Sequence, residues 1–292
     1  MEHAVRPSET PSIDDIMVTC MARQIRAGDA VVQGLATPLA TAAYMLARYT
    51  HAPDLYFASA IGQGMCRYPA PLSIRSIETL WLDRALSSIG FVRASVEILT
   101  SLHLKEFFRP AQVDCFGNFN NIAFGKDYRR PRLRMPGAGG IPDVTVFAQD
   151  VYLYVPRHSR ATFVKQIDFC SGLGNNPLRT QGAGPSYLIS DLGQFDFANG
   201  RLRLTSYHPG VSISSIQAHT GFELELADDI QETPLPSGEE LRLLREEIDP
   251  LGIRHLESLS GASRRDLLHG ILTQEAQQLT QAEASASRAT AQ

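Results

Sequence analysis

Apolar positions recur at helical spacing in two segments near the start of the chain. Between residues 13 and 25 they fall at intervals of three and four, behind Ser12, which favours a helix cap. A second segment opens at Thr37-Pro38 and ends near His51. Apolar runs at 30–33 and 55–61 lie on either side of it and are followed by glycine. The order strand, helix, strand predicts a parallel α/β sheet.

The later pattern is richer in strands. Residues 73–109 have apolar spacing typical of helices, and a strand broken by a glycine–asparagine turn is predicted between 113 and 124. Ser237 with Glu240 forms a capping box that predicts another helix. The remaining predicted strands lie at 144–147, 151–155, 163–169, 187–190, 193–197 and 202–207. We therefore predict an α/β fold, an open and mostly parallel sheet flanked by helices, with a strand-rich second half.

This pattern also divides the chain. Residues 1–11 are polar and predicted to be disordered, and residues 12–257 form one domain. Residues 258–292 are rich in Gln, Ala and Ser, and are predicted to be a polar extension that is partly helical or disordered.

Composition narrows the functional classes. The 292 residues are 43% hydrophobic and carry a formal charge of −4, so no basic excess points to nucleic acid. The four cysteines are far apart in the sequence and form no zinc motif. No apolar stretch approaches the roughly 20 residues of a membrane span. These features predict a soluble, cytoplasmic protein with no metal and no permanently bound cofactor.

The most distinctive stretch is a glycine loop at residues 136–142, bounded by two prolines. Gly137, Gly139 and Gly140 can adopt positive φ and let another group approach the main chain, with Ala138 between them. Such a loop can aim N–H groups at an anion or at a polarised carbonyl oxygen, although a tight turn without a ligand is the alternative. The spacing matches neither the P-loop nor the dinucleotide-binding fingerprint.

Other candidate site residues lie close to this loop or at predicted strand ends. Arginines at 129, 130, 132 and 134 form a basic patch, in which Arg132 or Arg134 could hold a carboxylate or phosphate; a solvated charged face is the alternative. Asn118 and Asn120 could line a site or simply form a turn. Ligands of parallel sheets gather where strands end, which adds Gly62 as a candidate.

Several segments together resemble one family. The chain is similar to the β subunit of class I CoA-transferases of the glutaconate type, in segments that run from about residue 14 to 257: 50–55, 117–120, 127–132, 136–140, 163–169, 208–210 and 239–250. The resemblance implies a CoA-transferase (NagB/RpiA-like) fold and a paired α subunit, commonly in an α2β2 assembly. It also implies acyl-CoA thioesters as substrates, a site between subunits, and the main chain of Gly139 and Gly140 lining the thioester oxygen.

One position departs from that family. Its transferases carry a nucleophilic glutamate at the end of the strand that begins near residue 55, and here the corresponding residue is Ala60. A methyl group cannot attack a thioester, Ser59 has no evident base, and Cys66 is a weak substitute. The chain resembles more closely, in residues 163–174, 191–197 and 206–210, the β subunit of cholesterol ring-cleaving hydrolases. In that type the resemblance implies a catalytic glutamate on the α subunit.

Three hypotheses remain open. The chain is a subunit of an enzyme that hydrolyses a C–C bond of a cyclic acyl-CoA, with the catalytic glutamate on its partner. It is alternatively part of a conventional CoA-transferase with a relocated carboxylate, for which Glu97 and Glu106 are poor candidates. Thirdly, it is a non-catalytic scaffold for an α subunit. A decarboxylase of the type that has cysteine at this position does not fit Ala60.

Overall fold

A computed structural model describes residues 10–34, 37–59, 64–76, 83–93, 97, 101–102, 104–148 and 150–290. The strands are β1 (Ala30–Gln33), β2 (Tyr56–Ser59), β3 (Gly64–Cys66), β4 (Ser87–Ser88), β5 (Leu104–Phe108), β6 (Gln112–Val113), β7 (Phe119–Asn120), β8 (Ala123–Phe124), β9 (Leu133–Arg134), β10 (Asp150–Val155), β11 (Pro185–Ser190), β12 (Gly193–Ala198), β13 (Arg201–Tyr207) and β14 (Glu225–Glu232). The helices are α1 (Ile13–Ala22), α2 (Pro38–Thr50), α3 (Ile141–Phe147), α4 (Ile213–His219), α5 (Gly238–Arg242) and α6 (Gly261–Thr290). Short helical turns span Phe91–Arg93, Leu243–Ile248 and Ile253–Leu256.

Ten strands of the described chain form one sheet, in the order β14-β13-β12-β11-β10-β5-β1-β2-β3-β4. The central strands β11, β10, β5, β1 and β2 are all parallel, while β12, β13, β3 and β4 add antiparallel pairings on the two sides. The predicted fold class, an open and mostly parallel sheet with flanking helices, is confirmed.

The helix starts follow from local capping. Ser12 accepts the Asp15 N–H, and the Asp15 carboxylate accepts the Ser12 N–H in return. Ser237 and Glu240 do the same at α5. Pro38 opens α2, but the Thr37 hydroxyl donates to the Gly34 carbonyl oxygen instead of capping the helix. Two of the three predicted caps are therefore made as expected.

The sheet is buried on both faces, as parallel sheets require. On one face α1, α2, the turns at Leu243–Ile248 and Ile253–Leu256, and part of α6 enclose a large apolar cluster that includes Tyr44 and Phe107. On the other face α3 and α4 cover a second cluster that includes Phe108 and Val151. Alternate residues of β5 thus face opposite clusters, which fixes the direction of every side chain on that strand.

Three predicted elements are wrong. Residues 144–147 were expected to be a strand but belong to α3, because Gly140 caps a helix and Pro142 fits its first turn. Residues 104–108 fall in the segment expected to be helical but form β5, because hydrogen bonding to β1 on one side and to β10 on the other overrides local apolar spacing. Residues 163–169 form turns instead of a strand, and only Phe163 makes an isolated bridge to Val113.

The two ends of the chain differ from each other. Residues 1–9, within the predicted disordered segment, lie outside the described residues. In the segment predicted to be a polar extension, α6 runs for 30 residues from Gly261 to Thr290. Its Ile271 is buried in the α1–α2 cluster, and the Glu275 carboxylate accepts the N–H groups of Ile74 and Arg75.

Candidate functional site

The ends of β1 and β2 lie side by side, because Gln33 pairs with Ser59 in the parallel ladder. Gly34 follows β1, and its carbonyl oxygen accepts the hydroxyl of Thr37 at 3.2 Å just before α2 begins. This is the carboxyl edge of the sheet, where ligands of such folds collect. Ala60 and Gly62, two of the predicted site residues, lie outside the described residues.

The glycine loop joins β9 to α3. Its φ angles are +119° at Gly137 and +51° at Gly139, whereas Gly140 has φ −86° and caps α3. The Ala138 carbonyl accepts the Ile141 N–H at 2.9 Å, which closes the turn. Within the described chain, the N–H groups of residues 137–140 have no hydrogen-bond partner. A side chain at Gly137 or Gly139 would meet no described atom within 4 Å. The loop therefore presents free donors to open space.

Arg132 and Arg134, the two members of the basic patch predicted to hold an anion, lie on the hairpin that leads into this loop. Both are exposed. The Arg134 guanidinium lies 4.4 Å from the centre of the Tyr128 ring and donates to the Tyr128 carbonyl. The Arg132 guanidinium lies 6.0 Å from the centre of the Phe124 ring. Because neither has an ion-pair partner among the described residues, both remain able to bind an anion.

The side chains of Asn118 and Asn120, unlike the N–H groups of the glycine loop, already have hydrogen-bond partners within the chain. The Asn118 amide donates to the Asp114 carboxylate at 2.9 Å, and its oxygen accepts the Gly174 N–H at 2.9 Å. Asn120 is fully buried, donating to Gln112 and to the Ala123 carbonyl, both at 2.8 Å. These bonds correspond to the turn-forming alternative, and contact between either asparagine and a substrate stays a prediction.

An ionic cluster occupies the start of α2. The Glu257 carboxylate accepts the Leu39 N–H at 2.9 Å, the Arg109 guanidinium at 2.8 Å and the Tyr154 hydroxyl at 2.9 Å. Burial raises the pKa of Glu257, although Arg109 opposes that shift. The donors at this helix start thus already hold a carboxylate from the same chain.

Glu106 lies at this same edge of the sheet, a position that sequence reasoning missed. It is buried on β5, and its Oε1 lies 3.3 Å from where a Cβ at Gly34 would be. Burial raises the pKa of Glu106 to about 8. The stretch Leu104–Phe108 carries no local signal for this position, because a glutamate beside Lys105 is also typical of the solvated face of the helix that was expected here.

The other nucleophile candidates are weak in the structure. Burial raises the pKa of the Cys66 thiol to about 11 and that of the Cys20 thiol to about 12, so neither is a thiolate near neutral pH. His208 is fully buried: its Nε2 donates to the Ser190 carbonyl, and its Nδ1 lies 3.0 Å from the Thr233 hydroxyl. It is a structural histidine.

The described residues contain no group of three His, Cys, Asp or Glu side chains arranged to hold a metal ion. A search of the helices in that same part of the chain finds none with the length and apolarity needed to cross a membrane.

Comparison with known proteins points to one family. The family model described as Coenzyme A transferase matches residues 15–219. One subunit of 3-oxoadipate CoA-transferase from Pseudomonas knackmussii is 30% identical over 259 residues, covering 80% of this chain and 92% of the relative. One subunit of glutaconate CoA-transferase from Acidaminococcus fermentans is 29% identical, covering 81% and 92%.

Two further similarities involve proteins named for other reactions. The cholesterol ring-cleaving hydrolase IpdB subunit of Mycobacterium tuberculosis is 29% identical over 242 residues, covering 79% of this chain and 92% of the relative. The crystal structure of the decarboxylase AibA/AibB superposes with a TM-score of 0.75 at 30% identity, covering 84% of this chain and 98% of that one.

Proposed function

The chain belongs to the coenzyme A transferase family, and from this membership we propose that it is the β-type subunit of a two-subunit enzyme acting on acyl-CoA thioesters. The enzyme hydrolyses a C–C bond in the ring of a cyclic acyl-CoA. The α-type partner supplies the carboxylate that activates water, and this chain supplies the glycine loop that binds the thioester. Two of the relatives are themselves single subunits of CoA-transferases, which supports the pairing with a second chain.

The choice of hydrolysis over CoA transfer depends on one observation. Strand β2 ends at Ser59, and the next residue in the sequence, where transferases of the resembled type place a nucleophilic glutamate, is Ala60. Without a carboxylate at that point, the chain has no group there to carry an acyl group and then CoA in two steps. Hydrolysis needs no such carrier, because water is the acceptor.

The glycine loop supports a role in binding the thioester. Its free N–H groups at residues 137–140 can donate to a carbonyl oxygen, and such donors are most effective where negative charge develops on that oxygen. Arg132 and Arg134, on the same hairpin, are placed to bind a phosphate or a carboxylate of the acyl-CoA. Asn118 and Asn120 hold the neighbouring turn in place.

The experiment uses the chain co-purified with its α-type partner. The probe is a CoA thioester whose ring carries a 1,3-diketone, assayed in water enriched in oxygen-18. We expect ring opening, with one heavy oxygen in the new carboxylate. Exchange of CoA between two carboxylic acids, without ring opening, would contradict the proposed reaction.

A conventional CoA-transferase is the second candidate, favoured by the 30% identity to the 3-oxoadipate enzyme. It requires a carboxylate that forms an enzyme-bound thioester. Incubation of the complex with acyl-CoA and borohydride, followed by mass spectrometry of this chain, separates the two: a reduced carboxyl group favours transfer, and an unmodified chain favours hydrolysis.

A further inference from the structure

The side chain of Glu106 points to the face of the sheet that α3 covers. On β5, Phe107 belongs to the α1–α2 cluster, whereas Leu104 and Phe108 belong to the clusters on the opposite face. Since side chains alternate along a strand, Glu106 lies between Leu104 and Phe108 on that opposite face. It pairs in register with Val151 of β10, and only 7% of its surface is exposed.

Its carboxyl group reaches the end of β1. Oε1 lies 3.3 Å from the position of a Cβ at Gly34, the residue that follows β1. The end of β1 is level with the end of β2, because Gln33 pairs with Ser59. The absence of a side chain at Gly34 leaves room for this carboxyl group at the carboxyl edge of the sheet.

The helix that begins at the glycine loop packs on the face of the sheet to which Glu106 points. Val144 of α3 packs against Leu104, and Ile141 packs against the cluster that includes Phe108. These contacts place the helix on the same face of β5 as Glu106. Gly140, one turn before Val144, is at van der Waals distance from it, with 3.7 Å between its Cβ position and Val144 Cγ2. The glycine loop thus leads into a helix that shares a face of the sheet with this carboxyl group.

Within the described residues, the Glu106 carboxyl group has no hydrogen bond and no ion pair. A buried polar group without a partner is unfavourable, and in a native structure it calls for an explanation, of which a catalytic role is one. The nearby charged groups do not neutralise it. Lys105 faces the other side of β5, bound to Asp29 and Asp150, and Tyr152 lies on that side too. Tyr44 of α2 accepts the Phe107 N–H, and Asp143 of α3 is exposed.

We propose that Glu106 is a catalytic proton donor that this chain contributes to the thioester site. The inference rests on the proposed function. Water adds to one ring ketone after losing a proton to the partner's carboxylate. The C–C bond then breaks, and its electron pair forms the enolate of the second ketone. Glu106 gives its proton to that enolate, and the resulting carboxylate recovers the proton taken from water, so that one water is consumed overall.

The same burial explains why Glu106 acts as an acid and not as a nucleophile. Its pKa of about 8 keeps the carboxyl group protonated at neutral pH, and a protonated carboxyl group attacks thioesters poorly. The chain can therefore have a carboxyl group in the site and still lack the nucleophile of a transferase.

Glu106→Gln tests this in the two-subunit complex with the cyclic diketone CoA thioester. The amide keeps the size of the side chain and cannot donate a proton to carbon. We expect kcat to fall about a hundredfold or more, with KM changed less than about threefold. In the wild type kcat should decline above about pH 8, and this decline should be absent in the variant. Asp196→Asn, on β12 and paired with Arg203, is the matched control and should leave both quantities unchanged.

A second readout does not depend on turnover. Infrared difference spectra of the complex, with and without the same thioester, should show the carbonyl band of a protonated carboxyl group shifting on binding, and the band should be absent in Glu106→Gln. If the wild type does not open the ring, the proposed function fails, and the band still decides the inference. Wild-type kcat in Glu106→Gln, or a band that ligand does not move, would overturn it.

Discussion

Glu106 illustrates how a single residue couples stability to pH. Burial raises its pKa from 4.5 to about 8, so the folded chain binds a proton that the unfolded chain releases between those values. Stability must therefore fall as pH rises through this window. We expect Glu106→Gln to gain stability relative to the wild type by about 2 to 3 kcal/mol as pH rises from 5 to 7. Denaturant unfolding at each pH measures this, and a pH-independent difference would contradict it.

A second prediction concerns Gly140 of the glycine loop. Gly140 has φ −86°, and a Cβ there would make only an ordinary contact with Val144, so Gly140→Ala should change stability by less than about 1 kcal/mol. If a thioester oxygen approaches this main chain, the added methyl group should lower kcat/KM by about tenfold or more. Gly238→Ala, also without close neighbours, is the control. Unchanged kcat/KM in Gly140→Ala would remove the loop from the site.

Substitution of Arg132 tests whether the hairpin binds the acyl-CoA. A guanidinium can form two parallel hydrogen bonds with a phosphate or carboxylate, and an ammonium group cannot. We expect Arg132→Lys to raise KM for the cyclic acyl-CoA severalfold at constant kcat. The exposed Arg130, changed to Lys, should have no effect. Equal KM values in both variants would assign Arg132 to a solvated surface.

Residue-level prediction from the sequence succeeds where the signal is local. The capping boxes at Ser12 and Ser237 depend on side chains three residues apart, and both form. Glu106 has no such local signal. Its place beside Gly34 depends on the pairing of β5 with β1, which involves residues more than 70 positions apart.

At the scale of elements, α3 shows how the sequence misleads. The run from Val144 to Phe147 is apolar and β-branched, which favours a strand. Gly140 and Pro142 nevertheless start a helix, and its Ile141 and Val144 pack against the buried cluster on one face of the sheet instead of joining it. The error matters for function, because the glycine loop then leads into a helix whose Val144 packs against the cluster that contains Leu104 of β5.

Two buried histidines, His158 after β10 and His208 after β13, both form hydrogen bonds with Ser190 at the end of β11. Burial lowers the pKa of His158 to about 3 and that of His208 to about 4. Below pH 6.5 the unfolded chain binds protons that these folded histidines do not, so stability falls as pH falls. For His208 the loss between pH 7 and pH 5 is about 2 kcal/mol. His208→Gln should remove that share of the acid sensitivity measured by denaturant unfolding, whereas the exposed His269→Gln should not. An unchanged acid slope in His208→Gln would contradict the assignment.

For the whole molecule, the fold class could be predicted because apolar runs and helical segments alternate regularly along the first half of the chain. Which residues are exposed on the surface could not be predicted in this way. Residues 132–134, 136, 137, 139 and 140 are exposed in the single chain. Thioester chemistry at that loop needs a surface that excludes bulk water, which gives donors their full effect. Exposed apolar side chains on the same hairpin, Tyr128 and Leu133, are consistent with cover by a second subunit.

In the proposed enzyme this chain binds the thioester while its partner supplies the carboxylate that activates water. The most direct measurement is borohydride trapping in the two-subunit complex during turnover of the cyclic acyl-CoA, with mass spectrometry of both chains. Ala60→Glu, which restores the carboxylate of the transferase pattern, shows that trapping works if it yields a reduced adduct at position 60. We expect ring opening with no adduct on the wild-type chain. An adduct on any carboxylate of this chain would contradict it.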